Sequence, residues 1–83
     1  MQESIANIGS VLQVLRVKSM FLAQERHRKP VHMEPFEAGE LLLAISSEDG
    51  DTVFCRHDES AGLDDRRRFV LSDEDFERLT TPA

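Results

Sequence analysis

Apolar residues recur at Ile5, Ile8, Leu12, Leu15 and Leu22, a spacing of 3, 4, 3 and 7 that keeps one stripe on one side of a helix. Val11 and Ala23 widen the stripe, Ser19 interrupts it, and Arg26 falls on the same line near its end. This pattern predicts an amphipathic helix within residues 5–28. Val14, Val17 and Phe21 repeat at helical spacing on a second face, separated from the first by Gln13 and Arg16 on one side and by Lys18 and Glu25 on the other. A helix in so small a domain needs one buried face. The second face is therefore the expected contact for a second copy or a different protein, unless one broad face wraps into the core with Phe21 on its flank. The valines of residues 11–17 also suit a strand, but the period fits a helix better than strict alternation. Ser10 and Gln13 have capping-box spacing after Gly9, so the helix starts there or near Ile5. Pro30 disfavours helical geometry at Lys29, and Arg26, Arg28 and Lys29 suit the negative end of the helix dipole.

Residues 30–39 read as a linker stiffened by Pro30 and Pro35, with Val31, Met33 and Phe36 available to dock and residues 31–33 as a brief edge strand. ELLLAIS (40–46) is a strand, or else a short buried helix, and TVFCRH (52–57) is a second strand. The Asp49–Gly50 pair between them signals a hairpin. DESAGLDD (58–65) reads as a polar loop and RRFVL (67–71) as a third strand. Ser72 is an N-cap for a short helix that begins with Asp73, Glu74 and Asp75 and runs to about Leu79, docked by Phe76 and Leu79. Residues 80–83 form a frayed tail. The expected fold is a two-layer α+β domain: a long N-terminal amphipathic helix (within 1–29) on a three-stranded antiparallel meander (40–72), with a short C-terminal helix (73–79).

Eighty-three residues make one small domain, near the lower limit for a self-sufficient core. The single cysteine, Cys55, rules out an intramolecular disulfide and fits a reducing compartment. Glu3 stands where a signal peptide would be positive, and Gln13, Arg16 and Lys18 break the apolar run, so a soluble cytoplasmic protein with no membrane span is expected. Net charge is −6 but unevenly spread: residues 1–33 carry five cations and two acids, residues 34–83 five arginines and fourteen acids. Such asymmetry points to charge-complementary association and argues against phosphate binding by the C-terminal half.

Cys55, His57, Asp58 and Glu59 crowd metal-ligand types together, but His27 and His32 do not complete a four-ligand set. A Cys–His pair two residues apart lacks the third group that orients a nucleophile, and no phosphate loop, G-x-S-x-G or H-E-x-x-H is present. SEDGD lacks calcium-loop ligand spacing. No enzyme activity, metal or cofactor is expected. Arg66, Arg67 and Arg68 are the candidate anion clamp. ERHRK (25–29) is a second basic cluster, to which His27 and His32 add pH-dependent charge. The functional expectation is a non-enzymatic acidic protein-interaction module (a regulator, inhibitor, adaptor or chaperone) that binds a protein partner, or a second copy as a homodimer, through Val14, Val17 and Phe21. The alternative is a nucleic-acid-binding regulator using the basic helix end, disfavoured by the lack of a helix-turn-helix pattern or stacking aromatics.

Overall fold

A computed structural model describes residues 13–58, 62 and 65–83. Among these residues the fold is one curled, half-barrel sheet of seven antiparallel strands with a single short helix. In chain order the strands are β1 (Gln13–Val17), β2 (Phe21–Glu25), β3 (Met33–Phe36), β4 (Leu41–Glu48), β5 (Asp51–Arg56), β6 (Phe69–Ser72) and β7 (Thr80–Pro82), with α1 (Asp73–Leu79) between β6 and β7. They lie side by side as β3-β2-β6-β5-β4-β1-β7.

The helix expected within residues 5–28 is overturned from residue 13 onward, where the chain forms β1 and β2. Its earlier part, including the proposed starts at Ile5 and Ser10, lies outside the described residues. The inward side chains are Leu15, Val17, Phe21, Ala23 and Glu25, all at odd positions, so one period of two runs through both strands and the bend between them. Apolar residues on the outer face, Val14 and Leu22, hid that alternation and mimicked a helical stripe. The three-stranded meander is likewise corrected: β4, β5 and β6 are present but form the middle of a seven-stranded sheet. The linker contributes β3, paired with β2, and the expected tail contributes β7, paired with β1.

The sequence signals for local turns and caps correspond to real features. Asp49 and Gly50 both have positive φ (53° and 85°), making the two-residue turn that joins Glu48 to its partner Asp51. Ser72 accepts the Asp75 amide at 3.1 Å as the N-cap of α1. At the other end of α1, the Thr80 hydroxyl donates to the Phe76 carbonyl at 2.6 Å. A register shift between Ala44 and Ser46 bulges β4 opposite β5 and adds to the local twist.

All five phenylalanines fill the concave face. Phe21, Phe36, Phe54 and Phe69 project from four different strands and Phe76 from α1, with ring centroids 5.0–6.1 Å apart and every ring almost wholly buried. Each contributes about 2–3 kcal/mol by burial, and the edge-to-face pairs add to it. Helix α1 covers one part of this face. At the opposite end the Arg56 guanidinium lies 4.2 Å above the Phe36 ring and takes the place of a lid.

Among the described residues, both edges of the sheet carry a proline where an outward donor would otherwise stand. The Glu25 amide donates to the His32 carbonyl, so along the β2–β3 ladder Glu34 and Phe36 face β2, while Met33 and Pro35 direct their backbone away from it. The outward Pro35 carbonyl is already occupied by Arg56 Nη2 at 2.9 Å. On the other edge, hydrogen bonds pairing Lys18 with Leu79 and Ala83 with Val14 leave Thr80 and Pro82 facing outward. Both edges are thereby poor templates for another strand. The double substitution Pro35→Val with Pro82→Val is expected to give, on incubation at high concentration, an intermolecular β-sheet band in the infrared spectrum that the parent protein lacks. Identical spectra for the two proteins would show that the prolines do not guard the edges.

Candidate functional site

The three residues expected to form a partner face do not lie together. Val17 and Phe21 belong to the buried core, whereas Val14 sits on the opposite face of β1 and is 36% exposed. A helix would have aligned them; a strand separates odd from even positions. Val14, Val17 and Phe21 therefore do not share one face in this fold.

The arginine run is also divided. Arg66 Nη1 donates to the backbone carbonyls of Arg56 and His57 at 3.1 and 3.2 Å. Arg67 lies within 3.3 Å of Glu34 and 3.6 Å of Glu25, with its guanidinium 5.5 Å from the Phe69 ring centre. Arg68 is half-buried. Arg66 and Arg67 thus act on this chain's own carbonyls and carboxylates rather than converging on one external anion. In the CRHDE stretch Cys55 is fully buried, and His57 Nδ1 pairs with Asp58 at 2.8 Å. No group of three metal-ligand side chains occurs among the described residues, and Glu59 lies outside them. The Ser47 hydroxyl in SEDGD, together with Thr52 from β5, donates to the Asp73 carboxylate. That turn is held to α1 by these bonds.

Three features remain. The first is a charged network at the mouth of the half-barrel. Arg56 bridges Glu34 (2.9 Å) and Glu40 (3.0 Å), Arg67 bridges Glu34 and Glu25, Arg28 pairs with Glu25 (2.9 Å), and His32 Nε2 meets Glu34 at 2.8 Å. The His32 hydrogen bond, followed by the nearby Arg67 and Arg56 charges, outweighs partial burial and lowers the Glu34 carboxyl from 4.5 to about 2. Three carboxylates meet three guanidiniums, so the network neutralises itself. It braces β3 to β5 and offers neither a nucleophile nor a free base.

The second feature is an apolar stripe on the outer face of the β2–β3 hairpin. Met20 and Leu22 run along one arm and Met33 and Pro35 along the other, with Leu22 opposite Pro35 and Met33 opposite Gln24. Met20, Leu22 and Met33 are each about half exposed (55%, 51% and 47%). Helical reasoning placed Leu22 on the buried stripe; its true signal was an apolar residue at an even position between the inward Phe21 and Ala23. The third feature is a groove of about 430 Å³ between α1 and the β1–β7 edge, lined by Asp73, Glu74, Phe76 and Glu77 of the helix and by Gln13, Leu15, Thr52, Thr80 and Pro82 of the sheet. Among the described residues no helix is long and apolar enough to cross a membrane.

Comparison with family models, curated proteins and solved structures gives no match.

Proposed function

We propose that this chain is a non-enzymatic protein-interaction module that docks a protein partner on the outer face of the β2–β3 hairpin. The observation that carries this reading is the exposed stripe of Met20, Leu22 and Met33 beside Pro35, an apolar surface that the domain's own core does not use. Contiguous exposed apolar patches mark interaction sites, and methionine adapts its shape to a partner at little cost. The polar groups support the same reading from the other side. Arg16, Arg26, Arg28, Arg56, Arg66, Arg67 and Arg78 are engaged with carboxylates or carbonyls, which leaves them poorly placed for phosphate, and the net charge of −6 repels nucleic acid.

A tagged pull-down from lysate of the source organism, run with nuclease, tests this. The parent chain is expected to retain a discrete protein that the Leu22→Lys, Met33→Lys double variant recovers at least ~10-fold less well. Both substitutions are on the exposed face, so the circular dichroism spectrum and melting temperature should hold within the range of surface changes, about 0.5 kcal/mol each. Equal recovery by the folded variant, or recovery that nuclease removes, would sink the proposal.

A further inference from the structure

The loop between β2 and β3 and the groove beside α1 are complementary in charge. Within the loop, Arg26 is held by Glu48 and Arg28 by Glu25, whereas Lys29 makes no ion pair among the described residues. Lys29 and Pro30 are exposed, and Val31 is 67% exposed, the largest value among the bulky apolar residues described. The loop tip therefore presents an ammonium with no counter-charge among the described residues, next to two apolar side chains.

The groove offers the converse. Asp73 is engaged by Ser47 and Thr52, but Glu74 and Glu77 are exposed and make no ion pair among the described residues. The rest of the lining mixes Pro82 and the edges of Leu15 and Phe76 with the polar Gln13, Thr52 and Thr80. We propose that the groove receives the tip formed by Lys29, Pro30 and Val31 of a second copy of this chain. The ammonium settles against Glu74 and Glu77, and Pro30 and Val31 pack on Pro82 and the edges of Leu15 and Phe76.

The overall charge of −6 does not forbid this contact. Screening over about 10 Å at moderate salt leaves the local pairing of a cation with two carboxylates stronger than repulsion between distant acids. Loop and groove are different patches, so the contact is heterologous: each molecule brings one of each, and association runs head to tail unless it closes on itself. It uses neither Leu22 nor Met33, and so stands apart from the docking of a protein partner on the hairpin face.

Sedimentation velocity across a concentration series at low salt tests it. The parent chain is expected to self-associate and to weaken as salt rises. Lys29→Glu and the Glu74→Lys, Glu77→Lys double variant are each expected to shift the midpoint of association upward by about tenfold or more. Mixing those two variants restores association, because one supplies the intact groove and the other the intact loop. Lys18→Glu, which makes the same charge change outside the loop, and Leu22→Lys with Met33→Lys should leave it in place. A chain that is monomeric throughout, an association that the loop and groove variants leave unchanged, or a mixture that stays monomeric would each overturn the proposal. Circular dichroism on every variant separates these outcomes from loss of fold.

Discussion

Phe21→Asp is expected to unfold this domain, whereas Leu22→Asp, one residue along the same strand, leaves it folded. Phe21 is 7% exposed, stacks on Phe36 at 5.3 Å and meets Phe54 edge-on at 6.1 Å. Removing the ring costs about 3–5 kcal/mol, and an aspartate in its place adds the desolvation of an unpaired carboxylate, several kcal/mol more. A domain of this length has a total stability of about 4–12 kcal/mol, so the sum reaches or exceeds what is available. Leu22 is 51% exposed on the outer face, and its replacement should change stability by no more than about 1 kcal/mol. Urea titration followed by circular dichroism reads both. Similar losses for the two variants would contradict the strand assignment, because only opposite faces of a pleated strand make neighbours so unlike.

Removing Arg56 or Glu34 is the second large effect, and it carries a pH signature. The folded Glu34 carboxyl is held at about 2, against an ordinary value of 4.5, first by the His32 hydrogen bond and then by Arg67 and Arg56. A carboxyl with a depressed folded value contributes stability that is present above the unfolded value and lost as pH falls through the folded one. The window therefore runs from 4.5 down to about 2, and its full depth is up to ~3 kcal/mol. Glu34→Gln is expected to lower stability at neutral pH by up to that amount and to flatten the acid limb of the stability curve across the window. Arg56→Ala should cost about 2–3 kcal/mol, because Glu34 and Glu40 lose their shared guanidinium and Phe36 loses its cover. Urea midpoints at neutral pH and at steps through the acid window check this. A Glu34→Gln curve that runs parallel to the parent's would show that the network does not hold Glu34 charged.

Helical spacing groups Val14, Val17 and Phe21 on one face, yet two of these are core residues of the sheet. The exposed stripe on the β2–β3 hairpin is built instead from Met20, Leu22, Met33 and Pro35, of which helical periodicity assigns Leu22 to the interior and leaves Met33 and Pro35 in a linker. The arginine run followed the same course. Adjacent in sequence, Arg66 and Arg67 are drawn to different partners, because Arg66 reaches the end of β5 while Arg67 crosses to β2 and β3.

Sequence alone determined the features whose causes are local. The Asp49–Gly50 turn follows from residues that tolerate positive φ, the Ser72 cap and acidic first turn follow from the exposed amides of a helix start, and strands β5 and β6 follow from short apolar runs between polar breaks. The run at 40–46, by contrast, fits a strand or a short buried helix and becomes β4 only in the sheet. Tertiary structure decided the rest. Periodicity favours one helix over two strands for residues 13–25, and wrongly so, because Val14 and Leu22 are apolar yet point outward, while Glu25 is charged yet buried. Glu25 is tolerable there only because Arg28 and Arg67 reach it, and β3 and β7 exist only because β2 and β1 present open ladders to them. Those partners lie up to tens of residues away in the chain, and pairing between such distant segments is set by the sheet as a whole rather than by any one stretch of it.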